Sequence, residues 1–132
     1  MQKLCTAGVG LGLLLMVVPC LGAEAKLNGS VLLRACSQFL ASIDTSTPST
    51  ATQRDLLDQG MCYGLVDGIL TTSIYYELEH SPKAICLPRN MEQVQGMRII
   101  VAYLKTHPEE IQANAAFVAI TALRQAFPCP RP

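Results

Sequence analysis

Four cysteines constrain this chain more than any other feature. Cys36, Cys62, Cys86 and Cys129 remain once an N-terminal export signal is set aside. That signal is read from Lys3 in a short basic start, followed by an uncharged stretch of Leu, Val, Gly and Ala over residues 4–18. Such a run is short for a bilayer span but suits a signal core. Ala23 and Ala25 flank Glu24 with the small residues that a signal peptidase reads, so cleavage is expected after Ala25. A lipoprotein signal ending at Cys20 is the rival reading, and Pro19 opposes it by standing where a small residue is needed. Removing residues 1–25 leaves 132 − 25 = 107 residues and takes Cys5 and Cys20 away. An even number of cysteines in a small exported chain reads as a disulfide framework. A domain of that size buries only about two thirds of its unfolded surface, so covalent closure matters.

The rest of the composition narrows the function. Ten basic and ten acidic residues cancel. A chain without net charge lacks the basic surface that phosphate backbones require, and equally a polybasic membrane patch. The expected partners are therefore neither nucleic acid nor, after signal cleavage, a membrane. No cysteine pair has the close spacing of a zinc knuckle, and His80 and His107 stand apart from the cysteines, so no metal or other cofactor is expected.

The periodicity is helical throughout and predicts an all-α bundle of four to five helices in one domain, residues 26–132. Asn28-Gly29-Ser30 offers cap residues before an apolar-periodic run over 31–40. A hydroxyl-rich stretch with Pro48, residues 42–53, reads as a loop. The second helix is expected over residues 51–77 and ends ahead of Pro82. Asn90, with Gln93 as reciprocal partner, is the expected cap of the third, whose buried stripe is Val94, Met97, Val101 and Leu104 with Ile100 beside it. Pro108 opens a new turn. The last helix starts near Asn114, is expected to bury Ala116, Phe117, Ile120, Leu123 and Phe127, and stops at Pro128.

Within the second helix Gly60, Gly64 and Gly68 recur every four residues, forming one slanting stripe. Each costs roughly 1 kcal/mol of helix propensity relative to alanine, so the stripe predicts close approach of another helix. On that reading Gly64→Leu would clash. Cys62, Leu65, Ile69 and Tyr76 lie opposite, which predicts a central helix with neighbours on both faces. Asp67, on the stripe, reads first as a carboxylate paired with an arginine or a helix end, and second as a ligand contact. Helix order favours Cys36–Cys62 and Cys86–Cys129 among the three possible pairings. A Cys62–Cys86 bridge would need the chain to double back along the second helix, which a short helix would allow.

No nucleophile elbow, phosphate loop or metalloprotease helix occurs. His80 reads as a turn residue and His107 as support for a helix break. Glu109 and Glu110 suit a first helical turn, as Asp55 and Asp58 suit the early second helix. The expectation is a protein without catalytic residues.

These residues are similar to a known family. Gly60-Met61-Cys62-Tyr63-Gly64-Leu65-Val66-Asp67-Gly68 resembles the Gly-x-Cys-x-Gly signature of the Rap/Tai immunity proteins of bacterial type VI secretion. Cys86-Leu87-Pro88 resembles their Cys-x-Pro, and the runs from Gln95 to Leu104, His107 to Glu109 and Ala122 to Cys129 resemble their later motifs. Gly96 departs from a larger apolar residue and Asn114 from a common proline. The resemblance implies a periplasmic, disulfide-bonded, commonly dimeric protein that binds and blocks a toxic effector, often a peptidoglycan amidase. It assigns no toxin contacts. Recognition is expected on the loops at 42–53 and 77–90, as rigid scaffolds usually present binding on loops. The alternative is a general periplasmic stress, chaperone-like or envelope accessory protein of the same architecture.

Overall fold

The computed structural model describes residues 27–45, 51–79 and 85–130. The expected signal, the Cys20 alternative, His80, and the centres of both loops (residues 46–50 and 80–84) lie outside the described residues. Four helices form the fold: α1 (Gly29–Asp44), α2 (Gln53–Leu78), α3 (Gln93–Thr106) and α4 (Ala115–Ala126), with a short 3-10 turn, Pro108–Gln112, before α4. No strand occurs among the described residues.

Local chemistry starts each helix. Asn28 caps α1, its Oδ1 accepting from the Val31 amide at 3.2 Å. Asn114 caps α4 in the same manner, accepting from the Ala116 amide at 3.0 Å. The two caps lie side by side. Gly29 N donates to Ala113 O at 2.9 Å and Ala115 N to Leu27 O at 3.1 Å, which fastens the starts of α1 and α4 together. α2 opens with a capping box in which Thr52 Oγ1 accepts from the Asp55 amide and the Asp55 carboxylate accepts from the Thr52 amide at 2.9 Å. α3 departs from expectation, since its cap is Glu92 and not Asn90, and no side chain bonds there. Gln93 instead donates its amide to the Asp67 carboxylate of α2, a charge-assisted bond that outcompetes a neutral reciprocal cap.

The core gathers Leu32, Ala35, Cys36 and Leu40 of α1 with Met97, Ile100, Val101 and Leu104 of α3. α1 and α3 each pack against every other element, and these two are the central helices. This corrects the expectation for α2. That helix buries one narrow stripe, Cys62, Val66 and Leu70, while Leu65 and Ile69 are only partly buried and Tyr76 is exposed. Apolar residues surround α2 on all sides, so its own periodicity does not single out the buried stripe. The register of α4 is corrected as well. Ala115, Val118, Ala119, Ala122 and Leu123 are buried, Ala116 is only partly so, and Phe117 is 71% exposed. Small residues face inward here because α1 and α3 lie close to α4.

The glycine stripe also sits differently. A Cβ at Gly60, Gly64 or Gly68 would meet nothing within 4 Å, so no described helix lies against them. The close approaches are elsewhere. At Gly96 of α3 a Cβ would stand 3.3 Å from the Val66 side chain of α2, and at Gly29 it would stand 2.9 Å from the backbone oxygen of Glu110. Gly64→Ala should therefore raise monomer stability by about 1 kcal/mol through helix propensity. Thermal melts at a dilution that keeps the protein monomeric check this, and a lower melting temperature there would place another part of the same chain on the stripe.

Two disulfides close the bundle. Cys36 joins Cys62, with Cα atoms 5.2 Å apart, between α1 and α2. Cys86 joins Cys129, at 4.9 Å, linking the approach to α3 with the exit from α4.

Candidate partner-binding face

α2 is the longest helix, about 39 Å at 1.5 Å per residue, and its support ends early. No described residue from Thr71 to Glu79 is buried. Beyond the buried stripe, α2 leaves Leu56, Leu57, Tyr63, Ile74, Tyr75 and Leu78 in solvent, with Leu57 at 69% and Leu78 at 70% exposure. Single exposed apolar residues need no explanation, but a contiguous face of them marks an interaction surface.

Beside this face runs a groove of about 390 Å³. Gly64, Gly68, Thr72 and Tyr76 of α2 form one wall, and Ile85 and Ile120 the other. Its lining is apolar apart from hydroxyl groups. Ser73 Oγ is occupied, donating to Ile69 O at 2.8 Å. The glycines deepen the groove by omission of side chains. Phe117 lies one turn before Ile120 on α4 and extends the apolar surface past the groove. Tyr75 and Tyr76 meet edge to face with ring centres 6.1 Å apart.

Charged groups frame α2 and leave the groove neutral. Arg34 holds Asp58 through Nε at 3.2 Å and Nη2 at 3.0 Å. Gln38 donates to Asp55 at 3.2 Å. The side-chain and backbone hydrogen bonds from Thr52 hold the Asp55 carboxyl below its ordinary value of 3.8, helped by Gln38 and Arg34 against the opposing effect of burial. Across the molecule, Asp44 of α1 and Arg98 of α3 form a two-bond fork at 3.1 and 2.5 Å, and the Arg98 hydrogen bonds lower the Asp44 carboxyl too. That fork borders a second, more polar hollow of about 440 Å³ between α1 and α3 that also includes Ser37 and Lys105.

These shifts fix a pH dependence. A carboxyl whose folded value lies below the unfolded 3.8 contributes stability that is fully present above that pH and lost as pH falls through the folded value. The melting temperature is expected to stay level from neutrality down to about pH 5 and then fall with a slope that Asp55→Asn reduces. Melts of both proteins between pH 2 and 6 check it, and parallel acid limbs would remove Asp55 from the account. Thr52→Ala at neutral pH should lower the melting temperature by about 5 °C through loss of the cap.

The residues singled out in the sequence separate into groups. Asp67 is paired, through Gln93, with the start of α3. His107 closes α3, its Nδ1 lying 2.9 Å from Tyr103 O, while its ring stacks on Tyr103 with centres 4.0 Å apart. Glu109 and Glu110 occupy the first turn of Pro108–Gln112. No group of three potential metal ligands occurs among the described residues, and none of their helices is long and apolar enough to cross a membrane. What the sequence reading missed is the outward side of α2. Leu57, Gly60, Gly64, Gly68, Thr71, Tyr75 and Leu78 are exposed and recur at spacings of three and four, the spacing of a face that a second helix can cover.

A small helical bundle, cross-linked twice and carrying an uncovered apolar face, belongs to the class of compact scaffolds built to bind another macromolecule. The sequence model of the Rap1a immunity proteins matches residues 28–129, and the chain belongs to that family. No curated protein and no solved structure matches it.

Proposed function

We propose that this protein binds and inhibits a toxic secreted effector in the periplasm, and that it does so by occlusion without chemistry of its own. The observation that carries the reading is the family match across the whole described fold. Two disulfides suit a chain that folds in an oxidising compartment, in keeping with cleavage of residues 1–25 on export. The effector class suggested by the resemblance is a peptidoglycan hydrolase of the amidase type. The exposed apolar face of α2 supports a homodimer as the acting species.

The test is protection from a candidate exported peptidoglycan hydrolase. Directing that hydrolase to the periplasm should kill cells, and co-expression of this protein should restore growth. Purified protein should also abolish cleavage of peptidoglycan in stoichiometric amounts. Failure to rescue growth, together with failure to retain the hydrolase on a column, would overturn the reading.

A further inference from the structure

The outward side of α2 has a pattern that survives reversal of the helix. At 100° per residue, Leu57, Gly60, Gly64, Gly68, Thr71 and Tyr75 fall within a strip about 80° wide. Turning α2 end for end about Val66 places Gly64 over Gly68 and Leu57 over Tyr75. We infer that this face is the seam of a homodimer in which α2 of two copies packs antiparallel, crossing at Gly64 and Gly68. The inference rests on the dimer proposed above and assigns it a surface.

Shape supports the pairing. The middle of the seam has no side chains and open space around it, so a second helix backbone can approach to about 8 Å. The ends carry bulk: Leu57 of one copy meets Tyr75 of the other, and on one flank Leu56 comes beside Ile74.

Charge selects the direction. Arg54 is the one basic residue of α2 and stands at its start, whereas Glu79 follows its end. Neither has an ion pair among the described residues. Antiparallel packing brings Arg54 of each copy beside Glu79 of the other, on the same flank of the seam. Parallel packing would set like charges together at both ends, which is unfavourable. Asp67 is the acidic residue nearest the crossing, and its carboxylate is bound to Gln93 of α3.

Sedimentation equilibrium of the purified, disulfide-bonded protein tests this. The wild type should be a dimer at micromolar concentration. Gly64→Gln should raise the dimer dissociation constant about tenfold or more, with an unchanged helical circular dichroism spectrum, because a Cβ there meets nothing within 4 Å among the described residues. Arg54→Glu and Glu79→Arg should each weaken association, and the two together should restore it. A monomeric wild type, or a dimer indifferent to Gly64→Gln, would overturn the pairing. A monomeric wild type whose Gly64→Gln variant no longer retains the hydrolase would give this face to the effector and also overturn it, leaving inhibition intact. A dimer that responds as expected but protects no cell would uphold the pairing and sink the inhibitory role.

Discussion

Replacing Cys36 and Cys62 together with alanine is expected to lower stability by about 3.5 kcal/mol and the melting temperature by about 15–25 °C. The size of the effect follows from the sequence separation of 26 between the two cysteines, which the bridge holds together in the unfolded chain. Both cysteines are wholly buried at the contact of α1 with the one supported stripe of α2. Losing the bridge therefore weakens the attachment of the longest helix at the place where it has fewest other holds. The Cys86–Cys129 bridge closes 43 residues and is larger by only about 0.5 kcal/mol on chain entropy. Melts of the two double variants thus compare burial more than loop length. A cross-link variant at Cys36 and Cys62 that melts like the wild type would show that apolar packing alone retains α2.

Gly29→Val should be nearly as damaging, at about 3 kcal/mol, since overpacking against an unyielding neighbour sits at the upper end of such penalties. The first added carbon would lie 2.9 Å from Glu110 O and 3.1 Å from the Cα of Ile111. These are backbone atoms that cannot rotate aside, unlike the side-chain methyl that faces Gly96. The site also holds the Gly29–Ala113 hydrogen bond, so any retreat stretches that contact. Gly64→Ala, with the opposite sign in the dilute monomer, is the matched control. If both substitutions shift the melting temperature alike, the packing at Gly29 is not as close as described.

The glycines show where sequence reasoning succeeds and where it stops. Helix number, the Asn28 cap, the start of the last helix near Asn114 and the Met97–Leu104 stripe were legible because each depends on neighbours in the chain. The stripe at Gly60, Gly64 and Gly68 was read as a place of close approach, but spacing does not say whether any backbone approaches. Among the described residues the answer is none. Gly29 and Gly96, which do touch other elements, are isolated in the sequence and carry no pattern. The misplacement of Phe117 has the same origin. α4 is rich in alanine, so a large apolar residue looked like the core while the real inner face is lined with small ones. For the partner-binding face, heptad spacing along α2 was present in the sequence. It was masked because α2 is apolar on all sides and gives no contrast between inside and outside.

The paired asparagine caps have a consequence for the order of assembly. Asn28 bonds to Gln112, 84 residues later in the chain. As the polypeptide emerges from its amino end, α1 can meet α2 at once, but its first turn waits for nearly the entire length to arrive. The opening and closing thirds are thus zipped together last, and a chain cut short before Ala115 would carry a helix with a loose beginning, marked for proteolysis.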